Sequence, residues 1–267
     1  MYAFSYVSPK TVRQAASALA KAEDGKLLAG GQTLLPTMKQ RLAAPSVLID
    51  LGKVEGMTGI EIKGRAVVIG AMTRHADVAT SAVVQQAIPA LAALAEGIGD
   101  PAVRNRGTIG GSIANNDPAA DYPAAALALG ATIVTNKRKV AASDFFKGLF
   151  ETALEPGEVV VKIAFPIPSK AAYAKFPNPA SRYALTGVFV AKRGSDVRVA
   201  VTGAGASGVF RAAALEEALK KRFSPKSLDG VTVPAKGLNG DIHASPEYRA
   251  HLIVVMAKRA VAAAIGK

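Results

Sequence analysis

Thr108-Ile109-Gly110-Gly111-Ser112-Ile113-Ala114-Asn115-Asn116-Asp117-Pro118-Ala119-Ala120-Asp121-Tyr122-Pro123 combines a glycine pair, a row of short polar side chains and a proline-punctuated exit. Glycine lets a backbone come close to a ligand, because no Cβ stands in the way. Thr108, Ser112, Asn115 and Asn116 add hydrogen-bonding groups on short stems, which lose little entropy when fixed. A loop of this kind suits a phosphate-and-sugar ligand such as a dinucleotide; alone it reads as an ordinary tight turn. A second glycine pair lies upstream in Ala29-Gly30-Gly31-Gln32-Thr33-Leu34-Leu35-Pro36. Each pair follows an apolar run, and two loops of one style point to a shared ligand.

Upstream of the second pair, Tyr2, Phe4 and Tyr6 alternate as a short strand, and Ser8-Pro9 reads as a cap with proline opening a helix that ends near Gly25. A brief strand at 26–29 enters the glycine pair, a helix follows from 34 to about 43, and Val47–Leu51 is another strand. Strand–helix–strand–glycine loop–helix–strand predicts a small parallel α/β unit. From Gly59 the period changes. Ile60-Ile62 and Ala66–Ile69 predict a hairpin with Gly64 in its turn. Thr73 is expected to cap a helix through His75 and Val78, and Pro89 to open the next. Beyond the Thr108–Pro123 loop come a buried Ala-rich helix at 124–129 and paired strands at 131–135 and 140–142. Phe145, Phe146 and Phe150 are expected as core anchors, and 159–165 as a strand stopped by prolines. The last part predicts an antiparallel pair, 183–192 and 196–202, a helix at 211–222 and a final helix at 247–265.

The formal net charge is +13 and uneven. Through Ser169 there are 17 Lys+Arg against 14 Asp+Glu; from Lys170 onward there are 16 against 6. Such asymmetry indicates either an anionic partner or a solubilising face. The basic residues Lys220-Lys221-Arg222 and Lys258-Arg259 lack interleaved aromatics, which disfavours a single-stranded nucleic-acid platform. The chain has no cysteine, so disulfides and cysteine-held zinc or iron–sulfur clusters are excluded within it. No apolar run approaches the ~20 residues of a membrane span, and the start lacks the regions of a signal peptide. The expectation is a cytoplasmic protein.

Gly203-Ala204-Gly205-Ala206-Ser207-Gly208 matches G-x-G-x-x-G. The preceding strand is predicted to pair antiparallel, whereas a nicotinamide-dinucleotide fingerprint needs a parallel βαβ unit. The motif is therefore expected to be a turn. His75, His243 and His251 have no metal spacing and are expected to be structural. Neither a Walker loop nor G-x-S-x-G occurs.

AGGQTLLP, RNRGTIGGSIANNDPAADYPAAALALGA and KFPNPASRYALTGVFVAK together resemble the FAD-binding medium subunit of the molybdenum hydroxylases, a family that includes carbon monoxide dehydrogenase and xanthine dehydrogenase relatives. The likeness runs from about Tyr6 to the C-terminus, and the carbon monoxide dehydrogenase type is the nearer. It implies an α+β fold: a parallel α/β subdomain over 1–57, a mainly antiparallel FAD-binding subdomain over 58–169 and a C-terminal α+β domain over 170–267. It implies FAD, with Ala29, Gly30, Gly31, Gln32, Thr33, Leu34, Thr108, Gly110, Gly111 and Ser112 along the cofactor and both glycine pairs against its diphosphate. Asp117 and Asp121 would lie toward the ribityl chain and ring, with Asp121 on the family's flavin-contacting acid; a helix cap is the other reading of Asp121. Ile98 falls where xanthine enzymes place an aromatic beside the flavin, and Tyr183 matches an aromatic near it. Lys175 is a candidate cationic contact; the alternative alignment sets the family's lysine against Pro177, which would remove that contact.

The resemblance further implies a small [2Fe–2S] subunit and a large molybdopterin subunit as partners in a dimer of heterotrimers, with FAD passing electrons onward to an external acceptor. A stand-alone FAD oxidoreductase is the alternative within the same chemistry; such relatives carry a cap domain for which this chain is short. A basic scaffolding or nucleic-acid-binding protein is the alternative outside it.

Overall fold

The computed structural model describes residues 1–266. Strands β1 (Ser5–Val7), β2 (Gly25–Leu28) and β3 (Val47–Asp50) form a parallel sheet in the order β1-β3-β2. Helices α1 (Val12–Lys21) and α2 (Leu34–Lys39) make the crossovers that parallel neighbours require. Helix α1 starts later than Ser8-Pro9 suggests, because Thr11 and Gln14 form a reciprocal capping box. Helix α2 stops short of Ala43, and Arg41 lies beyond its end in the left-handed region at φ 62°. Tyr2 and Phe4 precede β1, and with Tyr6 they are exposed.

The second sheet is antiparallel throughout, in the order β4 (Ile60–Lys63), β5 (Ala66–Gly70), β10 (Val160–Pro166), β6 (Thr132–Thr135), β7 (Lys139–Ala141). Gly64, at φ 60°, turns the first hairpin as its sequence predicts. Between β5 and β6 run α3 (His75–Thr80), α4 (Ala82–Ala87), α5 (Pro89–Glu96), α6 (Pro101–Arg104), α7 (Ile109–Asn115) and α8 (Tyr122–Leu129). All eight residues of α8 are buried, as the alanine run predicts. Thr73 does not cap α3; its hydroxyl is paired with the Gly59 backbone. After β7 come α9 (Ala142–Phe145) and a small hairpin of β8 (Phe146–Gly148) and β9 (Glu151–Thr152). Phe145 is fully buried, Phe146 is half-buried, and Phe150 is 55% exposed at φ 55°, so only the first anchors the core.

The third sheet, β11 (Lys170–Pro177), β12 (Ala184–Arg193), β13 (Asp196–Thr202) and β14 (Phe210–Arg211), is antiparallel in chain order. One face carries α10 (Ala213–Lys221) and α11 (Pro246–Ala264), with Ile253, Met256, Ala257, Ala260 and Val261 packed into its core. The other face gives Phe189, Ala191 and Ala200 to the larger core that holds α5 and α8. The Gly203–Gly208 segment joins two antiparallel strands, so it is a turn and no βαβ fingerprint. On the basic helices, Lys220 pairs with Glu217 at 2.7 Å and Lys258 with Asp229 at 2.6 Å, which removes part of the charge read as a docking surface. No helix among the described residues is long and apolar enough to cross a membrane.

Candidate functional site

The two glycine-bearing segments meet. A Cβ on Gly30 would lie 2.3 Å from the Arg106 carbonyl oxygen, and one on Gly107 would lie 2.5 Å from His75 Nε2. Gly30 lets the loop after β2 touch the loop before α7, and Gly107 lets His75 of α3 pack against that second loop. Gly110 serves packing as well: its Cβ would fall 2.4 Å from that of Ala71, and its N–H donates to the Ala71 carbonyl at 2.8 Å. Gly31 stands at φ 73°, which a β-carbon disfavours. Of the five, Gly111 is the least crowded, with Thr108 Oγ1 at 2.9 Å and Ala29 Cβ at 3.4 Å from its would-be Cβ.

The segment expected as a loop is partly helical. Thr108 caps α7 by accepting the Gly111 N–H at 3.2 Å, and α7 ends at Asn116 in the left-handed conformation. Asn116 is buried and donates to the Gly148 and Glu151 carbonyls, both at 2.8 Å, so it ties the β8–β9 hairpin down and does not face a ligand. Asp121 stands at the start of α8 without capping it.

Between the segments lies a cleft of about 440 Å³, within the range of cofactor sites. Ala29, Gly30, Gly31, Gln32, Thr33, Leu34, Ile98, Thr108, Gly110, Gly111, Ser112, Asp117, Asp121 and Tyr183 all line it. Lys175 lies behind this wall, its Nζ 3.1 Å from Asp121 Oδ1 and 2.7 Å from the Gly97 carbonyl. Sequence reasoning missed Lys26, Met72, Val103, Gly107 and Phe150, which line the cleft too. Gly107, next to Thr108, carried a readable signal; the others are set by tertiary packing alone.

The electrostatics differ along the cleft. Among the described residues, the N–H groups of Gly30, Gly31, Gln32, Thr33 and Leu34 have no acceptor within the chain. Five successive free donors at a helix start are an arrangement suited to an anion, and Lys26 adds a cation to that wall. At α7 the N–H groups of Ile109, Gly110 and Ser112 are taken by the carbonyls of Thr73, Ala71 and Thr108, so the second glycine pair offers shape more than donors. Elsewhere on the wall, burial pushes the Asp121 carboxyl above its ordinary value, while the Lys175 charge and bonds from Tyr173 and Lys175 oppose the rise. Tyr183, half exposed, is pushed up by burial and by Asp117 and Asp121. His75, expected to be structural, is buried but lines the cleft; burial, with Arg104 second, lowers it to about 4, so it is neutral at pH 7. His243 and His251 are exposed, and no metal-binding cluster occurs among the described residues.

A cleft with free amides along one segment and an ion-paired carboxylate on its wall defines a dinucleotide-binding module whose reactive group comes from a cofactor. Residues 2–168 match the family described as the FAD binding domain in molybdopterin dehydrogenase. The nicotine 6-hydroxylase medium subunit of Paenarthrobacter nicotinovorans is 37% identical over 97% of this chain and 96% of that protein. The carbon monoxide dehydrogenase medium chain of Hydrogenophaga pseudoflava is 37% identical over 98% and 96%. A solved structure of carbon monoxide dehydrogenase from the same organism superposes with a TM-score of 0.87, at 36% identity over 99% of this chain and 98% of that one. The chain belongs to the family of FAD-binding medium subunits of molybdopterin dehydrogenases, and its cofactor is FAD.

Proposed function

We propose that this chain relays electrons from a [2Fe–2S] subunit through FAD to an external acceptor, in a complex whose large molybdopterin subunit oxidises the substrate. The observation that carries this reading is one cleft lined both by the free amides of residues 30–34 and by Asp121, which Lys175 pairs from behind. Bound FAD exchanges electrons singly or in pairs and so supplies the redox chemistry that the side chains lack. The chain's own part is to hold the diphosphate on the amides of Gly30 to Leu34, to fit the cofactor along Thr108, Gly111 and Ser112, and to present Asp117, Asp121, Ile98 and Tyr183 to the ring region. Thr108 Oγ1 accepts from Gly111, so its proton is free to donate to the cofactor.

The electron source lies outside this stretch of sequence, which has no cysteine to hold a cluster. A dimer of heterotrimers in the cytoplasm is the assembly this reading entails, and the unpaired part of the basic C-terminal surface is its docking face. Supporting the division at 57 and 169 are the three sheets, each falling in one part. The equal identity to chains named for nicotine and for carbon monoxide supports a substrate choice made on the large subunit.

The test is the absorbance spectrum of the purified chain and its flavin content. Parent protein should carry noncovalent FAD; Gly111→Val should stay folded and lose it, because its branches enter the cleft. Equal flavin content in parent and variant would sink the placement of the cofactor along Thr108, Gly111 and Ser112.

A further inference from the structure

Asp121 is held from beneath by strand β11. Tyr173 and Lys175, two residues apart, project to one face. The Tyr173 hydroxyl donates to Asp121 Oδ1 at 2.5 Å, and Lys175 Nζ donates to Oδ2 at 3.3 Å. On the next strand, Gly187 stands opposite Lys175 and, across β13, opposite Thr202. Glycine weakens a strand interior and often marks a close approach. Here the approach is visible: a Cβ on Gly187 would lie 2.2 Å from the Tyr173 hydroxyl oxygen and 2.9 Å from both Tyr173 Cζ and Thr202 Cγ2. The missing side chain is the seat of the tyrosine hydroxyl. Thr202 completes the arrangement, since its Oγ1 donates to the Ala120 carbonyl at 2.6 Å and anchors the chain just before Asp121.

We infer that Tyr173 is a positioning residue of the flavin site: seated in the notch that Gly187 leaves, its hydroxyl fixes the Asp121 carboxylate at the cleft wall. The inference rests on the flavin reading above and adds two residues to it. The groups facing Asp121 are Tyr173 and Lys175 from β11, Tyr122 from its own segment and Tyr183 ahead of β12; the carbonyl of Gly97, just past α5, anchors Lys175. Lys175 is the one cation in this set.

The Tyr173 bond favours the ionised carboxylate, against the burial that disfavours it. Without the bond, Asp121 takes up its proton at higher pH. A carboxylate beside the ring opposes negative charge there, and a protonated carboxyl does not. The midpoint potential of the bound flavin, plotted against pH, should therefore show a break that belongs to Asp121.

The experiment uses the full chain loaded with FAD, as parent, Tyr173→Phe, Gly187→Ala and the double variant. Tyr173→Phe should move the break upward by about one to two pH units, the worth of a bond to a charged group. Gly187→Ala should move it the same way by evicting the hydroxyl, and the double variant should do no more than the larger single one. Should Gly187→Ala fail to fold, Tyr173→Phe, which removes one oxygen, carries the test. In an Asp121→Asn background the Tyr173→Phe shift should vanish. A parent that binds FAD with Tyr173→Phe showing the parent's profile, or a shift that survives Asp121→Asn, overturns the inference alone. A parent that takes up no FAD overturns the flavin reading and this inference with it.

Discussion

Lys175→Met is the sharpest probe of how the cleft wall is held. The stem and its packing remain, but Asp121 loses its cation at 3.1 Å and the Gly97 carbonyl loses its donor at 2.7 Å. Both side chains are nearly closed to water, at 11% and 5% exposure, so the pair counts as buried. Breaking such a pair costs about 3–5 kcal/mol. An independent limit agrees: the stranded carboxyl can instead stay protonated, which at pH 7 costs about 1.4 kcal/mol for each of roughly three units above its ordinary value. Either figure is a large share of the ~5–15 kcal/mol that holds a domain folded.

The sign with pH follows from burial. A carboxyl raised above its unfolded value supports the fold at low pH and loses that support as pH rises through the folded value. Removing Lys175 raises it further, so the deficit of the variant should be greatest at neutral pH and shrink by up to ~1.4 kcal/mol per unit on acidification. Urea unfolding at pH 7 and pH 5, with flavin at one fixed concentration, measures this. Asp121→Asn/Lys175→Met should recover most of the loss. A deficit under ~1 kcal/mol, or one equal at both pH values, would refute the reasoning.

His75 should remain neutral down to about pH 4. Its folded value is depressed, so the support it gives is complete above its ordinary 6.5 and lost as pH falls toward 4; His75→Gln should flatten that part of the stability curve by up to ~1.4 kcal/mol per unit, and an NMR titration of the ring should find no midpoint near 6.5. Thr108→Ala removes the cap of α7 and should cost about 0.5–2 kcal/mol in thermal unfolding, while Thr108→Ser should restore it.

The convergence of residues 29–34 and 108–112 was legible in the sequence because both segments announce themselves by glycine and short polar groups. What glycine does there was less legible. Gly30, Gly107 and Gly110 admit protein atoms, and a partner across the fold leaves no local signature. Two glycines also argue against helix by about 1 kcal/mol each, yet α7 forms, because Thr108 caps it and Ala71 packs on Gly110. Strand β11 escaped notice for a similar reason: Lys170–Pro177 is rich in alanine and lysine, residues poor in strand propensity, and ten-residue β12 beside it supplies the pairing. Phe150 misled in the other direction. An aromatic in an apolar run reads as core, but its left-handed backbone turns it out over the cleft.

Helix α8 has no solvent face, since β12 and β13 close the side that the second sheet leaves open. The stretch matched by the family ends at residue 168, before either strand begins. A fragment cut there would bare the alanines and leucines of α8 together with the contacts of Phe189 and Ala200. It would be expected to aggregate instead of behaving as a portable flavin module. Grafting this cleft into another oxidoreductase therefore means moving the C-terminal sheet with it.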